Sequence, residues 1–218
     1  MNSEKAHWHP EILPGKASEV LRDLNKISVI SSFYLAGGTG LALFLGHRIS
    51  HDFDFFTSEF FNEETLIQKF KGLEELTIIS KEQQTVHINF KKTKISFLGY
   101  GYPLLFPLQK FDNGDLPSVK LEVADIRDIA AMKFSAVVSR GTKRDFIDLY
   151  AVAQQYNLSQ LFEIFKQKYA QTPYNKVHIL KSLTYFEDAD SEPMPDMLIR
   201  IGWETVKKFF TSEVPKLL

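Results

Sequence analysis

Helical and strand-like spacings of apolar residues alternate along the first part of the chain. One apolar stripe predicts a helix over 17–27, with Ser18 as its N-cap. An apolar run at 33–36 predicts a short buried strand that ends at a pair of glycines. The next segment, 39–47, predicts a short helix capped by Thr39.

Strict alternation marks the segment HDFDFFT, at 51–57. Because successive side chains of a strand point to opposite faces, Asp52 and Asp54 are predicted on one face, and Phe53 and Phe55 on the other. The strand is therefore expected to pack through its phenylalanines and to present two carboxylates side by side.

The middle of the chain predicts one helix and three strands. The helix, at 62–72, opens with Asn62 as its cap and with acidic residues in its first turn. Three segments with alternating apolar residues follow, at 75–80, 85–90 and 94–100, and short polar connections join them. An antiparallel meander is the simplest arrangement for these strands.

After a loop at 103–118 and a strand at 119–124, the pattern becomes helical. Helices are predicted near 125–138, 143–155, 159–169, 175–185 and 203–211. The fold class is thus α+β, with a mixed sheet and flanking helices followed by a mainly helical C-terminal region. We expect an α/β core over 1–122 and a helical region over 123–218.

Composition excludes several classes of function. With 26 Lys and Arg against 27 Asp and Glu, the net charge is -1, so no global field favours nucleic acid or an acidic membrane. The chain has no cysteine, which excludes disulfides, thiolate metal sites and a cysteine nucleophile. No signal peptide or membrane-spanning run is visible, and we expect a cytoplasmic protein without a membrane partner.

The acidic pair, Asp52 and Asp54, is the first candidate for chemistry. Two carboxylates held on one strand face repel each other unless a cation neutralises them, and Mg²⁺ or Mn²⁺ prefers such oxygen ligands. The turn formed by Gly37, Gly38 and Thr39 would present backbone amides and a hydroxyl to the phosphates of a bound nucleotide. The alternative is an ordinary solvated strand edge.

Lys133 is out of place on its predicted helix. It falls on one stripe with Ile126, Ala130 and Val137, which are all apolar. Either its stem packs and its ammonium reaches water, or the ammonium is directed at phosphate charge.

Asp145 and Asp148 lie on one face of the next helix. They could bind a metal or a nucleotide, act as a base, or pair with Arg140, Lys143 or Arg144. The spacing alone leaves these alternatives open.

Taken together, the order strand, Gly-Gly-Thr, helix and Asp-x-Asp resembles the first motif of the polymerase-β-like nucleotidyltransferases. The segments GGTGLALFLGHRISHDFDFF, at 37–56, and DIRDIAAMKFSAVVSRGTKRDFIDLY, at 125–150, resemble the AbiEii/AbiGii toxin family. The resemblance covers about 33–150, and GWETVKKFF near the end is also in character.

This resemblance implies transfer of a nucleoside monophosphate from a nucleoside triphosphate to an acceptor hydroxyl, with release of pyrophosphate. It implies a tRNA end or another RNA as acceptor, a protein hydroxyl being the alternative, and an antitoxin protein as partner. Asp52 and Asp54 would hold Mg²⁺ or Mn²⁺. The implied catalytic set is completed by Lys133, Asp145 and Asp148, and the implied nucleotide-binding set is Gly37, Gly38, Thr39, Arg48 and Arg144.

One position departs from the superfamily pattern. These enzymes usually carry a third carboxylate on a later strand, where this chain has Ser96. Asp145 or Asp148 could supply the missing oxygen, or the protein could be an inactive nucleotide-binding regulator. A plain interaction protein, acting through its phenylalanine-rich face, is a further alternative, whereas the histidines, including His47 and His51, give little support for a histidine metal site.

Overall fold

A computed structural model describes residues 7–111 and 119–218. A mixed seven-stranded sheet lies at its centre, in the order β3-β4-β5-β2-β1-β7-β6. The strands are β1 (Tyr34–Ala36), β2 (Phe53–Thr57), β3 (Leu76–Glu82), β4 (Thr85–Phe90), β5 (Thr93–Gly99), β6 (Gln109–Phe111) and β7 (Leu121–Val123).

Helices flank the sheet and make up most of the chain after β7. They are α1 (Gly15–Lys26), α2 (Gly37–Leu45), α3 (Glu63–Gln68), α4 (Ile126–Ser139), α5 (Lys143–Val152), α6 (Leu158–Lys168), α7 (Lys176–Ser182), α8 (Glu187–Asp190) and α9 (Trp203–Glu213). The predicted fold class is confirmed. No helix within 7–111 and 119–218 combines the length and apolar character that a membrane span requires.

Strand β2 lies at the centre of the sheet, antiparallel to β1 and parallel to β5. Phe53 and Phe55 on this strand are fully buried, and the ring of Phe55 stacks on Phe97 of β5. Strands β3, β4 and β5 form the predicted antiparallel meander. Because the phenylalanine side of β2 is packed into the core, its acidic side faces outward, as the alternation predicts.

Two predicted helix caps are wrong. Helix α1 starts at Gly15 after Pro14, so Ser18 lies inside its first turn. Helix α2 starts at Gly37 directly after β1, which places Thr39 within the helix. In contrast, Asn62 caps α3 by accepting a hydrogen bond from the Thr65 backbone N–H, as predicted.

Strand β6 and helix α8 were not predicted from the sequence. Strand β6 lies within the predicted loop, and α8 is a single turn between the last two predicted helices. Each has only three or four residues, too few for a periodic pattern to emerge. Residues 112–118 of the predicted loop lie outside the described residues.

Helices α4 and α5 both pack against α2. Strand β7 supports this arrangement because it pairs in parallel with β1, so α4 starts beside the strand that leads into α2. The packing brings the second sequence block, 125–150, against the Gly-Gly turn of the first.

Candidate functional site

The two sequence blocks meet at a cleft of about 660 Å³. The start of α2 and the beginning of β2 form one side, helices α4 and α5 form another, and the segment 192–196 closes a third. Of the residues predicted for the site, the following line this cleft: Gly38, Thr39, Arg48, Asp52, Asp54, Lys133, Arg144 and Asp145.

The acidic pair lies at the open side of the cleft. Asp54 is half-buried on β2, between Ala36 of β1 and Ser96 of β5, and Asp52 is exposed just before the strand. Among the described residues, neither carboxylate forms an ion pair or accepts a side-chain or backbone hydrogen bond. Two unpaired carboxylates of this kind suit a hard divalent cation that completes its shell with water and phosphate oxygens.

Asp52 and Asp54 need oxygen ligands from water and phosphate to complete the coordination shell of a cation. Within the described ranges, no group of three or more His, Cys, Asp or Glu side chains is arranged to hold a metal ion. The position across from Asp54 on β5 is occupied by Ser96, whose hydroxyl is paired with His87 Nδ1 at 3.0 Å. The structure thus places Ser96 where the resemblance expects a third carboxylate.

The Gly-Gly turn allows two charged groups to approach the start of α2. Gly37 has a φ of +64°, and a Cβ there would lie 2.8 Å from Asp54 Oδ2. A Cβ on Gly38 would lie 2.3 Å from Arg48 Nη2. Glycine is therefore required at both positions, for backbone conformation at the first and for space at both.

Thr39 holds the neighbouring backbone. Its hydroxyl is 2.6 Å from Ser50 Oγ and donates to the carbonyl oxygen of Asp52, and the residue is only 3% exposed. These bonds fix the segment that carries Asp52. The position of Asp52 thus depends on a helix residue of the first motif.

Asp148 is fully buried and is surrounded by cationic and polar donors. Arg48 donates to it through Nε and Nη2, at 2.7 and 2.9 Å. Lys133 Nζ lies 2.7 Å from its Oδ2, and His47 Nε2 lies 2.8 Å from its Oδ1. Burial opposes ionisation, but the charges of Lys133 and Arg48 outweigh it and hold the pKa of Asp148 well below its ordinary value.

Asp145 is paired in a similar way. Arg140 donates to it through Nε and Nη2, at 2.7 and 2.9 Å, and Lys133 Nζ and Thr142 Oγ1 donate at 2.9 and 2.7 Å. Burial raises the pKa of Asp145. The hydrogen bonds from Arg140 and the charge of Lys133 lower it by more, so the pKa lies well below the usual range. A carboxylate held this way is a weak base.

Lys133 therefore joins both aspartates of α5. Its side chain is 6% exposed and its ammonium is engaged with Asp145 and Asp148, so the interpretation that the ammonium reaches water is wrong. Three side chains that carry positive charge, Arg48, Lys133 and Arg140, thus face these two carboxylates. One positive charge is left in excess at the wall of the cleft.

Two further cationic side chains remain available at the cleft. Arg144 and Lys94 both line it and are exposed, and neither forms an ion pair with any described residue. Lys94 was missed because a single lysine on a predicted strand carries no pattern that distinguishes it from a solvated surface residue.

His47 and Lys143 were also missed as parts of the site. His47 is fully buried beside Asp148, and within the described residues its Nδ1 has no hydrogen-bond partner. Lys143 is buried too, but it contacts Glu192 and not Asp145 or Asp148. No spacing in the sequence could have related position 143 to a residue so far along the chain.

Solved structures define the class of fold. JHP933 from Helicobacter pylori aligns with a TM-score of 0.54 at 17% identity, over 96% of this chain and 94% of that one. MenT4, a nucleotidyltransferase toxin from Mycobacterium tuberculosis H37Rv, aligns with a TM-score of 0.54 at 14% identity, over 92% and 85% of the two chains. The fold is that of the nucleotidyltransferases.

Sequence comparison then gives the family. The family model described as nucleotidyl transferase AbiEii toxin, type IV TA system, matches residues 19–217. An uncharacterized protein of Aquifex aeolicus (strain VF5) is 36% identical over 204 residues, which cover 92% of this chain and 95% of that protein. The chain belongs to the AbiEii nucleotidyltransferase toxin family, and the predicted resemblance is confirmed.

Proposed function

We propose that this protein transfers a nucleoside monophosphate from a nucleoside triphosphate to an acceptor hydroxyl, using a divalent cation held by Asp52 and Asp54. The observation that carries the proposal is a contrast between two pairs of carboxylates at one cleft. Asp145 and Asp148 are held by basic side chains, whereas Asp52 and Asp54 are unpaired within the described residues. Only the second pair is free to bind a metal.

The surroundings of that pair suit a triphosphate. Helix α2 begins beside Asp54, and the first amides of a helix are unsatisfied donors that favour phosphate oxygens. Arg144 and Lys94, which form no ion pair with any described residue, add attraction for a polyanion.

In the proposed reaction, the acceptor oxygen forms a bond to the α-phosphorus, and the bond between that phosphorus and the bridging oxygen of the β-phosphate breaks. The proton of the acceptor hydroxyl passes to water in the cleft, and pyrophosphate leaves. Bound Mg²⁺ or Mn²⁺ would neutralise phosphate charge and lower the pKa of the attacking hydroxyl. Arg48, Lys133, Asp145 and Asp148 hold the cleft wall in place, and Arg144 contacts phosphate as pyrophosphate departs.

We propose an RNA end as the acceptor. The net charge of the chain is -1, so attraction to RNA must come locally, from Lys94 and Arg144 at the cleft. An antitoxin encoded with the protein is the proposed regulatory partner, because the family belongs to type IV toxin–antitoxin systems.

The test is incubation with each labelled nucleoside triphosphate, Mg²⁺, and total cellular RNA or protein. We expect label in the RNA fraction with the wild type and none with the Asp52→Asn, Asp54→Asn double variant. Leu198→Ala, on the surface outside the cleft, is the matched active control. If only the protein fraction is labelled, the acceptor is a protein hydroxyl and not RNA. If the double variant labels as much as the wild type, the metal site at Asp52 and Asp54 is refuted.

Ser96 favours one second candidate, an inactive nucleotide-binding regulator. A hydroxyl cannot replace a carboxylate as a strong metal ligand or proton acceptor. Such a regulator would be stabilised against heat by nucleoside triphosphate and Mg²⁺, but would release no pyrophosphate with any acceptor pool.

A further inference from the structure

A proline- and methionine-containing segment outside both sequence motifs adds apolar surface to the cleft. Residues 192–196, with the sequence EPMPD, line the cleft next to the segment 47–51, which leads to Asp52. We call this segment the 192–196 wall. Most of the other lining residues are polar or charged, so the wall adds a different kind of surface to the cleft.

The first end of the wall is fixed by Lys143. Its backbone N–H donates to Glu192 Oε2 at 2.8 Å, and its ammonium donates to the carbonyl oxygen of Glu192 and to that of Asp190. The Lys143 side chain is buried and lies 5.3 Å from the centre of the Trp203 ring. A buried lysine that holds backbone carbonyls makes this end of the wall part of the folded core.

The second end of the wall is fixed by the segment that carries Arg48. Ile49 N–H donates to the Asp196 carbonyl oxygen at 2.8 Å, and Leu198 N–H donates to the His47 carbonyl oxygen at 3.0 Å. Arg48 and Met197 form an isolated antiparallel bridge. The wall is therefore held at both ends by residues of the two sequence motifs.

Met194 lies at the middle of the wall and is 40% exposed. It stands between Pro193 and Pro195, whose rings restrict the backbone and add apolar surface. An exposed methionine on a segment anchored at both ends offers a preformed apolar contact. Its polarisable sulfur packs favourably against aromatic rings.

A nucleoside triphosphate has matching chemistry, because its triphosphate is highly charged and its base is a flat aromatic ring. We infer that the 192–196 wall is the nucleobase-binding surface of the cleft, with Met194 packed on the face of the base. The inference rests on the proposed function, which places the triphosphate near Asp52 and Asp54. The cleft volume of about 660 Å³ is within the range of small-molecule sites.

The base and the triphosphate can be separated by direct binding measurements. Non-hydrolysable analogues of the four nucleoside triphosphates, and ribose 5′-triphosphate, are titrated calorimetrically into the protein with Mg²⁺. The variants are Met194→Ala and Leu198→Ala. Leu198 is 46% exposed, close to the exposure of Met194, but it lies outside both the wall and the cleft lining.

We expect Met194→Ala to weaken binding of the preferred nucleoside triphosphate by roughly tenfold, because the contact of the methionine sulfur and its apolar stem with the base is lost. Its affinity for ribose 5′-triphosphate should stay within about twofold of the wild type, a tenfold change being 1.4 kcal/mol. Leu198→Ala should behave as wild type with both ligands.

Two outcomes would overturn the inference, and they are distinguishable. In the first outcome, the wild type binds nucleoside triphosphates, but Met194→Ala lowers the affinity for them no more than it lowers the affinity for ribose 5′-triphosphate. The base then does not contact Met194. In that case the proposed function stands. If the wild type binds neither class of ligand in Mg²⁺, the proposed function itself fails and the inference fails with it.

Discussion

Arg48 and Asp148 form a two-pronged ion pair with nitrogen-to-oxygen distances of 2.7 and 2.9 Å. Both side chains are buried, and they come from the two separate sequence blocks. The pair thus ties the turn region after α2 to α5 and sets the shape of the cleft between them. Because each charge is out of water, removal of either partner leaves the other uncompensated.

Replacement of Lys133 tests the same network. Lys133→Met keeps the length of the stem but removes the cation that Asp145 and Asp148 share, so each buried carboxylate keeps an ion pair with one arginine only. We expect the free energy of unfolding to fall by about 3–5 kcal/mol, as for other broken buried pairs, measured by urea denaturation. Lys81→Met, at an exposed ion pair with Glu64, is the control and should leave the free energy of unfolding nearly unchanged. A Lys133→Met variant as stable as the wild type would contradict the ion pairs.

Stability should depend on acid through Asp145 and Asp148. Both pKa values are lowered in the folded protein, so the unfolded chain binds more protons and stability decreases as the pH falls. The contribution is complete above the ordinary carboxyl pKa of about 4 and is lost progressively below it. Urea midpoints at pH 7, 5, 4 and 3 measure the loss. The Asp148→Asn variant should have a lower urea midpoint at pH 7 and a smaller decrease of that midpoint as the pH falls. If the midpoints of variant and wild type decrease in parallel, Asp148 does not contribute to the acid dependence.

Gly38→Ala should break the Arg48–Asp148 pair indirectly. The new Cβ would lie 2.3 Å from Arg48 Nη2, so the guanidinium must move away from Asp148. We expect a loss of about 1–3 kcal/mol of stability, typical of overpacking, and slower nucleotidyl transfer. Gly15→Ala is the control, because a Cβ at the start of α1 meets nothing within 4 Å. Equal melting temperatures for the two variants would argue against the close contact.

Ser96→Asp should supply the third carboxylate beside Asp54. Without metal we expect a lower melting temperature than the wild type, because the new carboxylate repels Asp54 in a buried setting. With Mg²⁺ we expect a larger rise than the wild type shows, because one more oxygen ligand holds the ion. Ser96→Asn separates charge from size. If Mg²⁺ raises the melting temperatures of Ser96→Asp and Ser96→Asn equally, position 96 does not face the metal site.

Secondary-structure elements were predicted well where the apolar periodicity extends over many residues. Helices α4 to α6 and the strands of the meander came within a few residues of their predicted ends. The acidic and phenylalanine faces of β2 followed from alternation alone. The division into 1–122 and 123–218 stays a prediction.

The pairing of the site residues was beyond the sequence. Asp145 and Asp148 were assigned several roles, and only the packing of α5 against α2 shows them buried among basic side chains. Lys133 looked like a lysine facing either water or phosphate because its partners lie on another helix. Spacing identifies which residues share a face, but not what that face meets.

The two anchored ends of the 192–196 wall have a consequence during synthesis. Asp52, Asp54 and the Gly-Gly turn leave the ribosome long before the wall does, since 142 residues separate position 54 from position 196. At a synthesis rate of about 5–20 residues per second, this gap lasts on the order of ten seconds. During the whole interval the nascent chain carries the acidic pair without the 192–196 wall. For most of the interval it also lacks Asp148. The cleft of this toxin-family enzyme is thus incomplete until residues 192–196 have emerged.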